Sequence, residues 1–254
     1  MNATPPVGYD RIAELYDRYV TADHDVAFFI AALELARGGE VVELTAGTGR
    51  LSIPLIEAGA RLTCVDLSPK MLDVLRRKLV ARDLKAEVLC RNVAQLDLPS
   101  RYALALMPFQ AFMEIVEEAE QLATLRAVFA CLEPGGHFIC TLHNPTVRRL
   151  QVDGTLRAVG SFPSYDGTLV VSGTEAGGDP IVVRSQFSES FGLDGELRWK
   201  RLLSMRFALI GRDAFERMAM DAGFRVATLA GDYAGGPFRP ESSPVMIWTL
   251  ERPV

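Results

Sequence analysis

Hydrophobic positions along this chain alternate between two rhythms. Short apolar runs lie at Val41-Val42-Glu43-Leu44, Arg61 to Val65, Ala86 to Cys90, Tyr102 to Met107 (closed by Pro108) and His137 to Leu142. Runs of this kind suit strands covered on both faces. Between them the spacing turns helical. Ser68-Pro69 predicts a helix start, with serine as cap and proline in the first turn, and that helix runs to about Ala81. Gln121 to Leu132 reads as another helix, stopped by Glu133-Pro134-Gly135-Gly136. Strand–helix alternation of this kind predicts a parallel sheet with right-handed crossovers. Ahead of it, Asp10 to Ala36 holds two helical patterns broken at Val20-Thr21-Ala22-Asp23, with Asp23 the expected cap of the second. Ile12, Leu15, Tyr16 and Tyr19 share one face of the first helix; Phe28, Phe29, Ala32 and Leu33 share one face of the second.

From Ser161 to Ile210 the texture changes. Leu169 to Ser172, Ile181 to Phe191 and Glu196 to Phe207 are strand-like and are joined by Gly177-Gly178-Asp179-Pro180 and Leu193-Asp194-Gly195. Turn residues at those places mark hairpins, so an antiparallel insertion is expected. Arg212 to Ala222 then reads as a helix ending at Gly223, and two further strands follow, Phe224 to Ala230 and Val245 to Leu250. The expected organisation is cap helices over 1–38, a cofactor-binding core over 39–160, the insertion over 161–210 as a lid or dimer surface, and the end of the core over 211–254.

The most informative stretch is the first strand with its glycine turn. Gly47 and Gly49 let the backbone turn sharply and come close to a ligand, and Asp66 sits at the carboxyl end of the next strand. A carboxylate there can accept hydrogen bonds from both hydroxyls of a ribose, which points to an adenosine-binding crevice. A dinucleotide fingerprint asks for G-x-G-x-x-G, whereas Gly47-Thr48-Gly49-Arg50-Leu51 is followed by Ser52.

Together with Asp66, Glu43-Leu44-Thr45-Ala46-Gly47-Thr48-Gly49 resembles motif I and the following acid of the class I S-adenosylmethionine-dependent methyltransferases. Their usual form is E/D-x-G-x-G-x-G; Thr45 and Ala46 are where this chain departs from it. Tyr9 to Asp17 is similar to the family's N-terminal cap helix, Leu132-Glu133-Pro134-Gly135-Gly136-His137-Phe138 to its lead into strand five, and Ala222-Gly223-Phe224 to its turn before strand six. The resemblance implies a Rossmann-like seven-stranded α/β sheet, its last strand antiparallel between the fifth and sixth, plus the small antiparallel β insertion.

The resemblance also implies S-adenosylmethionine as cofactor and assigns roles. Asp66 would hold the ribose, with Leu67 and Met71 beside the adenine. Thr45, Ala46, Gly47 and Thr48 would line the methionine portion, with Glu43 as an indirect organiser. Asn92, beside Val93, stands where many members carry an acid that contacts the adenine amino group; a plain turn residue is the equal reading, and Asp97 is an alternative. Val93 and Met107 are further cofactor candidates; Met107 ends strand four in Met107-Pro108-Phe109, which lacks the polar residue of the N/D-P-P-Y/F motif of base-methylating enzymes. Phe109 is a substrate-pocket candidate, whereas Phe112 reads as packing. His143, just past strand five, is the candidate general base, with a surface-loop histidine as the competing reading. Tyr16 on the cap is a cofactor candidate, and Tyr233 and Arg239 in the Gly/Pro-rich loop are substrate candidates. Arg184, Arg198 and Arg206 in the insertion could bind an acidic substrate, but alternate strand positions face solvent, where arginine is ordinary.

Composition narrows the function. The 254 residues are 49% hydrophobic, enough for a sizeable core. A formal charge of −5 argues against a broad nucleic-acid-binding face. Met1 to Gly8 lacks the basic start and apolar centre of a signal peptide, and no apolar run reaches the ~18 residues of a membrane span. Cys64, Cys90, Cys131 and Cys140 have no C-x-x-C spacing, as expected of reduced thiols in the cytoplasm. His24, His137 and His143 lack metal-ligand spacing, so no metal is expected. The expected function is methyl transfer to an O or N atom of a small molecule such as a sugar, amino compound or natural-product intermediate, with a homodimer as a further expectation. The alternative is a non-catalytic cofactor-binding partner, or a non-methylating reaction at the same site. A nicotinamide oxidoreductase is disfavoured by Ser52.

Overall fold

The computed structural model describes residues 8–99 and 101–254. Seven strands make the central sheet: β1 (Glu40–Leu44), β2 (Arg61–Asp66), β3 (Glu87–Cys90), β4 (Tyr102–Met107), β5 (Leu132–His143), β10 (Arg225–Ala230) and β11 (Val245–Glu251). Their order is β10-β11-β5-β4-β1-β2-β3. The pairs β1–β2, β2–β3, β1–β4 and β4–β5 are parallel, while β11 runs antiparallel to both β5 and β10. The strand order therefore reverses at β1, and ligand crevices in open α/β sheets form outside the carboxyl ends of strands at such a point.

Strand residues alternate between two cores. Val42, Leu44, Val65, Ala105, Met107, Phe138 and Cys140 pack with α5 (Glu118–Cys131) and α7 (Arg212–Asp221). Val41, Leu62, Cys64, Leu104, Leu106 and Ile139 pack with α2 (Val26–Ala32), α3 (Ser52–Glu57) and α4 (Pro69–Ala81). Ser68 caps α4 as its sequence position predicts, its Oγ accepting from the Met71 N–H at 3.2 Å.

Several boundaries differ from expectation, each for a physical reason. Strand β5 begins at Leu132, because Gly135 donates to the Arg252 carbonyl at 2.8 Å and Arg252 donates to that of Gly136 at 2.8 Å, which keeps the Pro-Gly-Gly segment in the sheet. The second sheet has four strands, β6 (Arg157–Ser164), β7 (Gly167–Gly177), β8 (Ile181–Gly192) and β9 (Leu197–Ala208), in that order. It begins at Arg157, ahead of the expected Ser161. Strand β6 is an edge strand that carries Gly160 and Pro163, residues an edge tolerates and a strand pattern does not display.

At the amino end, a 3-10 turn (Gly8–Arg11) leads into α1 (Ala13–Tyr19), and α2 follows. The residue before α2 is Asp25, not Asp23, and its side chain does not cap the helix. Its carboxylate is spent on a two-point ion pair with Arg50, at 2.6 and 2.7 Å, in which Asp25 is fully buried. Such a pair matters chiefly through what its breakage leaves behind. Asp25→Ala strands the Arg50 guanidinium and is expected to cost about 3 kcal/mol, read as a lowered midpoint of thermal unfolding.

Candidate active site

Strand β1 delivers its last side chains to the crevice floor. Thr45 takes a left-handed backbone conformation (φ 62°) otherwise suited to glycine, and its Oγ1 donates back to the Leu44 carbonyl. Gly47 follows at φ 56°. A Cβ on Gly47 would meet nothing nearer than Met71 Cε at 3.5 Å, so the crevice side of this turn is open. Gly49 is different: there a Cβ would lie 2.4 Å from Leu75 Cδ1, so this glycine serves the packing of the turn on α4.

Asp66 stands opposite the turn. Its Oδ2 accepts from the Gly47 N–H at 2.8 Å and its Oδ1 from the Ser68 N–H at 2.7 Å. Burial raises its pKa, and the backbone donors of Ser68, Gly47 and Leu67 pull it back. Each oxygen keeps a free lone pair, which is the donor–acceptor match a ribose diol needs. Leu67, which follows Asp66, and Phe109, in the loop after β4, are large apolar side chains left 38% exposed. Met71 and Val93 are nearly buried. An acceptor pair, an open glycine turn and uncovered apolar walls fit an adenosine-bearing cofactor.

Glu43 lies under the turn, fully buried, and accepts a hydrogen bond from Ser52 Oγ at 2.5 Å. Ser52 is the residue that breaks the dinucleotide fingerprint; here its hydroxyl secures the strand-one acid. Burial pushes the Glu43 carboxyl up to about 8, against the Ser52 hydrogen bond and the nearby Arg50 charge.

Loops from the cap reach the same turn. Thr48 Oγ1 donates to Asp17 Oδ1 at 2.6 Å, and Lys78 Nζ bridges Asp17 at 2.6 Å and the Thr48 carbonyl at 2.8 Å. Ser68 Oγ donates to Asp10 Oδ1 at 2.5 Å. The Arg50 guanidinium, held by Asp25, sits 4.6 Å from the centre of the Phe109 ring. Phe109 and Gln110 both have left-handed backbones (φ 57° and 58°), and the Gln110 N–H donates to Thr141 Oγ1 at 3.1 Å. Strained residues that the surroundings over-determine concentrate where ligands are clamped.

The other expected site residues divide. Tyr16 is half-buried in the cap, between the rings of Tyr9 at 6.2 Å and Tyr19 at 5.8 Å. Ala46 is nearly buried, and the Thr48 hydroxyl is taken by Asp17. Met107 is a correction: it is fully buried in the core and gives the crevice no surface. Asn92 spends its side-chain carbonyl on the Ala94 N–H at 2.9 Å, capping a 3-10 turn (Val93–Gln95), and Asp97 is exposed. Tyr233 packs against His24, Phe28 and Phe29, and its hydroxyl accepts from Gln110 Nε2 at 3.4 Å. Arg239 is exposed on a loop that Asn144 Nδ2 anchors through the carbonyls of Pro240 and Ser243. His143 is half-buried, and burial, Arg148 and Arg184 outweigh Glu175 to press its imidazole down to about 4, so it is neutral at physiological pH and a weak proton acceptor.

The sequence does not single out Asp10, Asp17, Asp25, Arg50 or Glu114, and it marks Ser52 only as the break in the dinucleotide fingerprint. Asp10 and Asp17, seven residues apart, carry the helical repeat that would have aligned them, and Glu114 is the lone acid between Ala111 and Val116.

Sheet order, open glycine turn and ribose-ready carboxylate together define a nucleoside-cofactor crevice of the Rossmann-like methyltransferase type. Comparison with known proteins agrees. Residues 41–136 match the family model described as a methyltransferase domain. A cypemycin N-terminal methyltransferase from a Streptomyces species is 29% identical over 255 residues, covering 97% of this chain and 98% of that protein. A glycine/sarcosine N-methyltransferase from Parasynechococcus marenigrum is 26% identical, covering 88% and 76%. Among solved structures, the CcbJ methyltransferase from Streptomyces caelestis superposes with a TM-score of 0.82 at 24% identity, over 99% of this chain and 100% of that one. The sugar N-methyltransferase KedS8 from a Streptoalloteichus species gives 0.79 at 17%, over 100% and 96%. Residues 41–136 thus form a methyltransferase domain, with S-adenosylmethionine as its cofactor.

One consequence of the Glu43 environment can be measured. Its folded-state pKa of about 8 exceeds the ordinary 4.5, so between those values the folded protein holds a proton that the unfolded chain has released. Stability therefore falls as pH rises through that window. Glu43→Gln, which keeps an acceptor for Ser52, is expected to flatten the decline in unfolding temperature between about pH 5 and about pH 9.

Proposed function

We propose that this enzyme methylates an O or N atom of a small molecule. The observation that carries the reading is Asp66, held by the Gly47 and Ser68 N–H groups at the mouth of an apolar-walled crevice. S-adenosylmethionine supplies an electrophilic methyl group on a sulfonium, so the protein's task is position and electrostatics. Asp66 holds the ribose, Leu67, Met71 and Val93 flank the adenine, and the Thr45–Thr48 turn borders the methionine portion. Asn92 sits at the adenine end as a turn residue whose amide remains available. Tyr16, Phe109 and Tyr233 bound the space beyond, with Arg239 at its outer loop.

Small-molecule acceptors are supported by the relatives' names, which include the N terminus of cypemycin, glycine or sarcosine, and a sugar. A formal charge of −5 favours such an acceptor over nucleic acid. We assign the protein to the cytoplasm on its unpaired cysteines.

Calorimetry with S-adenosylmethionine tests the reading. Asp66→Ala is expected to weaken binding by about tenfold or more, as loss of charged hydrogen bonds requires. Unchanged affinity in a folded variant would remove Asp66 from the site. Because its imidazole is a weak acceptor, His143→Ala is expected to leave turnover near wild type in an assay of S-adenosylhomocysteine release; a large loss there would restore it as the base.

A further inference from the structure

A second buried carboxylate, Glu114, lies near enough to Asp66 for the two charges to interact, and nothing in the cofactor seat uses it. Glu114 closes the 3-10 turn (Ala111–Glu114) that follows β4, the same loop that carries Phe109. Its Oε1 accepts from the Tyr9 hydroxyl at 2.7 Å, and that hydroxyl lies 3.4 Å from Met205 Sδ of β9. The Tyr9 ring meets Tyr16 edge-on at 6.2 Å, and Tyr16 meets Tyr19 edge-on at 5.8 Å. Gln186 of β8 donates to the Tyr19 hydroxyl at 2.9 Å. One acid is thus bonded to the first of three cap tyrosines packed edge to edge, and the second sheet meets both ends of that row.

This arrangement is selective in its chemistry. Tyrosine faces attract cations, and more strongly where water is excluded. A carboxylate held among them supplies the matching charge and a hydrogen-bond acceptor. An uncharged hydroxyl acceptor draws little from either. An ammonium group draws on both, but it has no lone pair and must lose a proton before its nitrogen can accept a methyl group.

We propose that Glu114, oriented by Tyr9 and walled by Tyr16 and Tyr19, binds the ammonium group of an amine substrate and takes its proton. The inference rests on the methyltransferase reading and narrows the acceptor from O or N to an amine nitrogen. In the step itself the N–H bond breaks, its electron pair stays on nitrogen, and an O–H bond forms on Glu114. The neutral amine is then ready for the methyl group that the cofactor brings.

The groups facing Glu114 set the pH window. Burial raises its pKa to about 7; the Tyr9 hydrogen bond lowers it, the Asp66 charge on β2 raises it, and Arg184 on β8 lowers it. Tyr16 and Tyr19 stay protonated, their hydroxyls pushed upward by burial. Glu114 is therefore ionised above about pH 7 and protonated below it. Ammonium binding needs the ionised form, so it strengthens as pH rises through 7 and ends where the amine itself loses its proton, near pH ~10.

The test uses the full chain saturated with S-adenosylhomocysteine and titrated calorimetrically with trimethylammonium chloride, which offers one N–H and three methyls. Tert-butanol is the uncharged control of similar size. Saturable binding of trimethylammonium at about pH 8, absent with tert-butanol and weakened about tenfold by Glu114→Gln, is the expected result. Tyr9→Phe keeps the ring but removes the hydrogen bond that lowers the Glu114 pKa, so the midpoint of the pH dependence is expected to move upward. Circular dichroism and retained S-adenosylhomocysteine affinity establish that each variant is folded. Absent ammonium binding, equal binding of tert-butanol, or a folded Glu114→Gln variant that binds as wild type overturns the proposal. Failure of the wild-type chain to bind S-adenosylhomocysteine overturns the methyltransferase reading, and the proposal with it.

Discussion

The Asp66 carboxylate accepts from the Gly47 N–H on one side and the Ser68 N–H on the other, so a single charge joins the turn after β1 to the start of α4. Both donors belong to backbone that departs from regular structure, one at a left-handed glycine and one at a helix cap. Without the carboxylate each N–H would need another partner in a half-buried setting. The positions of the glycine turn, of Leu67 and Met71, and of the first turn of α4 all follow from this clamp.

The cap is fastened to the same backbone by three acids. Asp10 reaches Ser68, Asp17 reaches Thr48 and Lys78, and Asp25 reaches Arg50. Only the Arg50 pair is deeply buried; the Lys78 pair is partly exposed and correspondingly weak. Arg50, in the loop after β1, extends the arrangement to Phe109, so the loops after β1 and β4 meet directly while Asp25 of the cap holds the guanidinium between them. The tyrosines around Glu114 ride on this same cap, which couples the acceptor end of the crevice to the cofactor end.

Much of this fold is legible in the sequence because its core strands are buried on both faces and their apolar runs are unambiguous. The Ser68 cap, the glycine turn and the acid ending β2 are local signals, readable residue by residue. Strand β6 is obscured because an edge strand needs no apolar alternation and accepts Gly160 and Pro163. Met107 misleads because the end of a strand says nothing about which face its last side chain occupies. Asp25 and Arg50, or Tyr9 and Glu114, are 25 and 105 residues apart, and such partners are brought together only by tertiary packing. Thr45 shows another limit: its backbone adopts the glycine conformation although its side chain does not suggest it.

The second sheet supplies Met205, Gln186 and Arg184 to the surroundings of Glu114, while the clamp on Asp66 and the glycine turn are built without it. Residues 157–208 therefore behave as a cassette inserted between two strands of a finished cofactor-binding frame. Exchanging or reshaping its hairpins changes the surroundings of Glu114 and leaves the Asp66 clamp and the glycine turn intact. Descendants of such a frame can diversify in acceptor while inheriting one invariant donor, a division of labour written into the chain's topology.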